Sequence, residues 1–281
     1  MAEQLGLSRK IPVYVGGGDT HFGLLAAGLM EEKHYGCVAG YTSPVISISN
    51  EPLMDGDMRV WTGCYLLQNK WFIESNAGVA GGLVDWFVKS FLSSFSRDPY
   101  KYFEKLVNSS KPGAKGVKMR IGSMIMNAKN MAEQKITGFI LLPSPVLPFI
   151  SPAGIEDFAR SILETIAFTI KANLNQLIDI AKVKLEYFGL TGGLTRFKIF
   201  PKILTNVLGI KVQVTKEFNG SILACAAMTF NSLQLFSTLE KAIKSVIKLY
   251  SVEPDAKNVQ IYNDIFLDWL NTYEEINSLE V

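Results

Sequence analysis

The chain has 281 residues, of which 48% are hydrophobic and 19% are charged, so it has the apolar content of a globular protein and not that of a disordered one. Its 28 basic and 26 acidic residues are spread along the chain, and the net charge of +2 creates no field that would draw it to nucleic acid or to a membrane. The three cysteines stand far apart, which argues against a zinc site or a disulfide framework and favours a reducing cytoplasm.

The amino-terminal segment predicts a strand, a tight turn and a helix in succession. Residues 11–15 are apolar and rich in β-forming residues, three glycines follow at 16–18, and residues 20–30 favour a helix. No basic stretch leads into a long apolar run here, so we do not expect a secretory signal.

Two β-rich runs, residues 36–49 and 61–75, come next, and the turn-forming residues between them predict neighbouring antiparallel strands. Apolar residues recur at helical spacing over 77–95, which predicts an amphipathic helix packed on the sheet. Irregular prolines and glycines then indicate an insertion of helix and loop over about 97–153. Its basic cluster favours a solvated loop face, with a phosphate contact as the alternative: Lys111, Lys115, Lys118 and Arg120.

The apolar stretch 139–155 contains four prolines, too many for a membrane-spanning helix, and predicts a strand end followed by an extended loop. Residues 154–180 predict a long helix with one apolar face. The remaining sequence alternates a strand at 183–191, a glycine turn, and further helices and a strand up to a closing helix at 264–279. This alternation is typical of an α/β protein.

Two glycine turns carry the chemistry, because each follows a predicted strand and precedes a helix, where backbone amides and the helix dipole attract anions. The first, GGGDTHFGLLAAG, contains Asp19, which suits either a helix N-cap or a general base. On spacing alone we favour the cap. The second is GLTGGLTR, at residues 189–196. The sequence contains no P-loop, no GxGxxG turn after a strand, no GxSxG elbow and no HExxH. His21 and His34 lie on opposite sides of one predicted helix, so we expect no shared metal.

In their order along the chain, these segments resemble those of the FGGY carbohydrate kinases. The segment IPVYVGGGDTHFGLLAAG resembles the turn whose aspartate takes the proton from the sugar hydroxyl. The resemblance therefore implies that Asp19 is the catalytic base rather than a cap, with Gly17 and Gly18 in the nucleotide site. DFARSILETIAFTIKANL and VEPDAKNVQIYNDIFLDWL resemble the long helix and the tail of the family.

Two further segments resemble the parts of these kinases that hold ATP. CVAGYTSPV resembles the second phosphate segment, which implies that three of its residues lie near the phosphates: Gly40, Thr42 and Ser43. FGLTGGLTRFK resembles the adenosine segment, which implies that four of its residues line the adenine and ribose pocket: Thr191, Gly192, Gly193 and Thr195.

The resemblance implies an actin- and hexokinase-like, ribonuclease H-like ATPase domain over residues 1–281, with a mixed five-stranded sheet flanked by helices. It also implies ATP with Mg²⁺, held mostly through the phosphates because the sequence offers no dense carboxylate cluster. The segments GGGD and AGYTSPV resemble the corresponding segments of xylulose and autoinducer-2 kinases. This resemblance implies that the substrate is a ketose or a similar sugar.

The chain departs from the family pattern at several places. Tyr41 stands where a phosphate-contacting threonine is usual, Cys225 replaces a glycine, and the Gly-Glu-Arg-x-Pro loop is not visible. The chain has about half the family's length, so we expect an amino-terminal kinase domain as its partner. Three alternatives stay open at this point: a kinase half that needs that partner, an inactive truncated relative, and a nucleotide-binding regulatory module.

Overall fold

A mixed seven-stranded sheet organises the chain, whose computed structural model describes residues 3–8, 10–133, 138–143, 152–217 and 219–279. The strands are β1 (His34–Val38), β2 (Thr42–Ser49), β3 (Trp61–Cys64), β4 (Trp71–Val79), β5 (Lys118–Ile121), β6 (Gly138–Leu141), β7 (Tyr187–Thr191), β8 (Val212–Thr215) and β9 (Leu249–Val252). The helices are α1 (Asp19–Ala26), α2 (Gly81–Phe87), α3 (Pro99–Ser109), α4 (Ile155–Ala181), α5 (Ile199–Leu208), α6 (Gly220–Ser232), α7 (Leu239–Val246) and α8 (Ala256–Ser278).

The order of strands in the main sheet is β3-β4-β2-β1-β7-β8-β9. β1, β7 and β8 run parallel to one another, whereas β3, β4, β2 and β9 pair antiparallel with their neighbours. The predicted α/β class is confirmed, but the predicted number of five strands is wrong. The runs 36–49 and 61–75 each fold back as a hairpin, giving two strands apiece, and β9 extends the edge beyond β8.

The predicted strand at residues 11–15 is also wrong. This segment has no regular secondary structure and pairs with no described strand, and its valines are almost fully exposed, Val13 at 92% and Val15 at 101%. β-branched residues favour a strand because they pack well on a pleated surface beside a neighbour, and an unpaired segment gains nothing from that preference.

Helices cover both faces of the sheet. On one face, α4, α5 and α8 pack over the largest apolar cluster, which includes Tyr35, Phe188 and Trp269. On the other face, α1, α6 and α7 enclose a smaller cluster around Phe22, Ala224 and Ile243. The predicted arrangement of a sheet flanked by helices is confirmed. Within the described part of the chain, no helix combines the length and apolarity that a membrane span requires.

The long helix predicted at 154–180 is confirmed as α4, and buried polar contacts anchor it. Glu164 accepts hydrogen bonds from Arg160 Nε at 2.7 Å and from the Tyr262 hydroxyl at 2.8 Å, which joins α4 to α8. At the start of the helix, Asp157 accepts from Ser110 Oγ at 2.6 Å and from the Gly154 amide at 2.9 Å. These contacts satisfy charged groups that would otherwise be costly to bury.

The region predicted as an insertion contains α3 and the separate hairpin of β5 and β6. Two lysines of its basic cluster pair with carboxylates: Lys115 lies 3.4 Å from Asp157, and Lys118 lies 2.6 Å from Asp268. These pairs favour a structural role for the cluster. The boundaries of the insertion stay a prediction, and most of the proline-rich loop, residues 144–151, lies outside the described residues.

Candidate functional site

Two turns leave the sheet side by side, one after β1 and one after β7, and only the second is a glycine turn predicted from the sequence. The other predicted glycine turn, at residues 16–18, leads into α1 without a strand before it. β1 and β7 are parallel neighbours whose last residues, Val38 and Thr191, are in register. Parallel strands present their carboxyl ends at the same edge, which is where α/β proteins bind their ligands. The turn after β1, residues 39–41, and the turn after β7, residues 192–196, therefore share one position in the fold.

Hydrogen bonds through Ala39 join these turns to each other. The amide of Ala39 donates to the carbonyl of Thr191 at 2.7 Å, and the carbonyl of Ala39 accepts from the amide of Leu194 at 3.0 Å. Gly192 between them has a φ of 107°, a conformation that side chains rarely adopt. A Cβ atom on Gly192 would stand 2.5 Å from the Ala39 carbonyl oxygen. Glycine is therefore required at position 192 for the turns to meet.

Helix α1 brings Asp19 to the same edge of the sheet. One turn after Asp19, Gly23 lies against Val38 and Thr191, since a Cβ there would be 3.2 Å and 3.4 Å from their side chains. Asp19 is the first residue of α1, and Gly18 occupies the N-cap position. Its exposed carboxylate accepts the amide of Thr20 at 2.8 Å. Asp19 therefore lies one residue inside the N-cap position, and its exposed carboxylate satisfies one amide of the first turn.

The two histidines lie on different elements, His21 in α1 and His34 at the start of β1, so the prediction that one helix carries both is wrong. The ring of His21 lies 4.4 Å from that of Phe72, and burial lowers the pKa of His21, an effect that the charge of Asp19 partly offsets. His34 stacks on Tyr187, and burial lowers its pKa as well. Over the described ranges, no three His, Cys, Asp or Glu side chains form a group that could hold a metal ion.

A cavity of about 720 Å³ opens beside the joined turns. Gly40 and Gly193 form part of its wall, together with Tyr41 and Gly81. Gly193 is exposed, and a Cβ atom placed on it would meet no atom within 4 Å. The backbone at this point therefore faces open space, and a flat or charged ligand can approach it closely.

The other residues of the predicted site have different surroundings. Thr42 is exposed at the start of β2, whereas the side chain of Ser43 is fully buried beside the thiol of Cys37. Thr191 is buried, and its hydroxyl shares a hydrogen bond of 2.8 Å with that of Thr215. The hydroxyl of Thr195 donates to the Gly192 carbonyl at 2.7 Å and holds the turn in shape.

Gly17, the remaining predicted residue, lies in the segment just before α1. A Cβ atom on it would come within 2.3 Å of Leu66 Cδ2. The absence of a side chain at Gly17 therefore allows this segment to pass close to the loop that connects β3 and β4. Gly17 does not belong to the wall of the 720 Å³ cavity. The structure thus places Gly40 and Gly193 at the cavity, and Asp19 on the neighbouring helix start.

Sequence reasoning missed the outer wall of the cavity, which α2 and α3 supply. Asp85 accepts a hydrogen bond from the Tyr100 hydroxyl and pairs with Lys89 at 2.7 Å. Lys89 and then Tyr100 hold the pKa of Asp85 below its ordinary value, because both stabilise the ionised carboxylate. Asp85 and Lys89 are four residues apart, and the helix continues from α2 through residues 88–92, so both side chains lie on one helical face. This spacing could have been recognised in the sequence. Tyr100 lies on another helix, and no sequence pattern connects it to Asp85.

The sheet order and the helices on both faces give an α/β domain with the fold of solved xylulose kinase structures. A model of the C-terminal domain of the FGGY family of carbohydrate kinases matches residues 36–230, and the chain belongs to this family. The resemblance stated from the sequence is confirmed.

Known relatives are similar along nearly the whole chain. The chain is 21% identical over 280 residues to a xylulose kinase of Staphylococcus epidermidis, with 99% of the chain and 54% of the relative covered. It is 24% identical over 285 residues to an autoinducer-2 kinase of Escherichia coli K12, with 98% and 52% covered. The chain therefore spans about half the length of the curated relatives it matches.

Solved structures share the fold. A ligand-bound xylulose kinase from Lactobacillus acidophilus superposes with a TM-score of 0.82 at 15% identity, over 99% of this chain and 55% of that one. A Plasmodium falciparum glycerol kinase with ADP superposes with a TM-score of 0.70 at 16% identity, over 93% and 51%. At these identities the similarity establishes the fold alone.

Proposed function

We propose that this chain is the nucleotide-binding half of a sugar kinase, which transfers the γ-phosphate of ATP to a sugar hydroxyl together with an amino-terminal kinase domain on the same or a separate polypeptide. The joined glycine turns beside the 720 Å³ cavity carry this proposal. That volume lies within the roughly 300–1,000 Å³ range of small-molecule sites. The family membership and the ADP in a structural neighbour agree with it.

The residues at the turns have distinct parts in binding the nucleotide. The open backbone at Gly193 accommodates the adenosine, and Gly40 with the exposed Thr42 faces the phosphates. Gly192, Thr191 and Thr195 hold the turn in place through the contacts with Ala39, Thr215 and the Gly192 carbonyl. Because the Ser43 hydroxyl is buried, its contribution to the phosphate site comes through its backbone rather than its side chain.

Asp19 acts as the general base in this proposal. Its carboxylate is exposed at the first turn of a helix, where the peptide dipoles also favour an anion such as a phosphate. A carboxylate within hydrogen-bond reach of the sugar hydroxyl takes its proton during transfer. Magnesium neutralises phosphate charge when it is bound with ATP. The xylulose kinase relatives support a ketose as the sugar in this proposal.

Calorimetric titration of ATP with magnesium into the purified chain tests the proposal. Gly193→Arg fills the cavity without steric clash at the backbone, so we expect it to abolish binding while the fold is retained. Gly56→Arg is the matched control, because Gly56 is also exposed with no atom near its Cβ position. Loss of binding in both variants, or no binding by the unmodified chain at millimolar ATP, would contradict the proposal.

A second candidate function is a module that binds nucleotide without transferring phosphate. Tyr41, which is 73% exposed at the cavity wall in the position of the usual threonine, favours it. Reconstitution with an amino-terminal kinase domain separates the two functions, because a Tyr41→Thr variant gains transfer activity only if the phenol obstructs the phosphate. Cys225, the other departure, is exposed on α6 and does not line this cavity.

A further inference from the structure

A second cavity, of about 580 Å³, lies on the far side of the glycine turn that follows β7. Four of the described residues that line it are basic and none is acidic: Arg196, Lys198, Lys202 and Lys216. The sequence shows the same bias, since every charged residue between Glu186 and Glu217 is basic, in a chain whose charges otherwise nearly balance. This concentration of positive charge is local and sits in a concave surface.

The lysines of this cavity are not used to stabilise the fold. Lys198, Lys202 and Lys216 are exposed and form no ion pair with any described residue. The fifth basic residue of the segment, Lys211, is paired with Glu253 at 2.8 Å and does not line the cavity. Three like charges held around one concavity repel each other, and an anion between them relieves this repulsion.

The cavity also offers contacts beyond charge. The half-buried ring of Tyr250 lines it with the lysines, whereas the hydroxyls of Thr195 and Thr215 are already bonded to Gly192 and Thr191 within the fold. An aromatic ring provides a flat apolar surface for a sugar or a base. A bare inorganic ion would use the lysines alone, whereas a phosphate ester would use both kinds of contact.

We propose that this basic cavity is a second anion site that takes a small phosphate-bearing molecule, coupled to the nucleotide cavity through Arg196, which lines both cavities. The site itself does not depend on the proposed kinase function. Coupling follows because Arg196 is charged and lines both cavities, so that an anion bound in one changes the electrostatic potential in the other. An exposed acidic protein surface is the competing occupant, and it predicts no affinity for small phosphates.

Calorimetric titration with inorganic pyrophosphate at low ionic strength tests the site. We expect the double variant Lys198→Gln, Lys202→Gln to bind pyrophosphate at least about tenfold more weakly, because it loses two charge-assisted hydrogen bonds. Lys105→Gln with Lys257→Gln is the matched control, because both lysines are exposed and unpaired among the described residues. Equal weakening in both double variants, or no binding of pyrophosphate, would overturn the proposal.

Two further arms complete the experiment. Ribose 5-phosphate and AMP as probes distinguish a sugar phosphate from a nucleotide as the source of the phosphate, and tighter binding than pyrophosphate by either supports the part assigned to Tyr250. A third result would overturn the second site. If saturating ADP fully displaces pyrophosphate, and the Lys198→Gln, Lys202→Gln double variant binds pyrophosphate as tightly as the unmodified chain, the anion lies in the nucleotide cavity. Because the ATP titration is separate, a chain that fails to bind ATP but binds pyrophosphate contradicts only the proposed kinase function.

Discussion

Gly192 and Ala39 are in direct backbone contact, which joins the turn after β7 to the turn after β1. The gap at this point is so small that a methyl group on Gly192 would stand 2.5 Å from the Ala39 carbonyl oxygen. Neighbouring Gly193 has the opposite surroundings, with no atom near its Cβ position. Adjacent glycines thus have different surroundings, one packed tightly against Ala39 and one facing open space.

We expect Gly192→Ala to lower the free energy of unfolding by about 1–3 kcal/mol, because the new side chain combines a left-handed conformation with a steric clash. Gly193→Ala is the matched control and should change stability by less than about 0.5 kcal/mol. Urea unfolding followed by circular dichroism measures both values. Equal effects at the two positions would show that the contact with Ala39 does not stabilise the turns.

Substitution of Asp19 by asparagine should separate catalysis from binding. In the kinase assembled with its amino-terminal domain, we expect Asp19→Asn to lower the rate of phosphoryl transfer roughly 10²–10⁴-fold, the usual contribution of a general base. ATP affinity of the chain should stay unchanged. ADP release in a coupled assay measures the rate, and Asp264→Asn, at an exposed aspartate, is the control. A normal rate in Asp19→Asn would exclude Asp19 as the base.

Asp157 should make the free energy of unfolding depend on pH in the acid range. Burial raises its pKa, but the hydrogen bonds from Ser110 and Gly154 and the contact with Lys115 outweigh this effect, so its pKa in the folded chain lies below the ordinary value. A lowered carboxyl pKa contributes stability above the unfolded value of about 3.9, and that stability is lost as the pH falls through the folded pKa.

We therefore expect Asp157→Asn to be about 1–3 kcal/mol less stable than the unmodified chain at pH 7, with a difference that shrinks below about pH 4. Urea unfolding between pH 3 and pH 7 gives the two curves. Asp57→Asn serves as a control, because Asp57 is 78% exposed and lies 3.8 Å from Arg59. A difference that stays constant over the whole pH range would mean that the charge of Asp157 contributes nothing.

The three cysteines should differ sharply in reactivity. Cys64 and Cys225 are exposed, whereas Cys37 is buried in β1, where burial raises its pKa and keeps the thiol protonated. Iodoacetamide should modify Cys64 and Cys225 in the native chain and reach Cys37 only after denaturation. Mass spectrometry of tryptic peptides counts the modified sites, and native labelling of Cys37 would show that β1 opens readily.

The sequence was informative wherever a local pattern decides the structure. The periodicity over 154–180 predicted α4 nearly to the residue, and the glycines at 192 and 193 marked a turn that the structure contains. The site residues assigned by resemblance stay predictions, although the structure brings Gly40 and Gly193 to one cavity.

The errors arose where a neighbour distant in sequence decides the outcome. Residues 11–15 have the composition of a strand but lack a partner among the described strands, and no local pattern reveals that lack. The hairpin turn at residues 39–41 is equally hidden, because the β-rich run continues through it. Tyr100 reaches Asp85 only because α3 folds back over α2, a contact that depends on the tertiary structure.

The hydrogen bonds of Ala39 also bear on the entropy of ligand binding. A loop that becomes ordered around its ligand loses conformational freedom at that moment, and this loss weakens the observed affinity. Here the two turns are already fixed to each other by main-chain bonds on both sides of one alanine. A nucleotide entering the cavity would meet a preorganised backbone, so the remaining ordering cost falls on exposed side chains such as Tyr41.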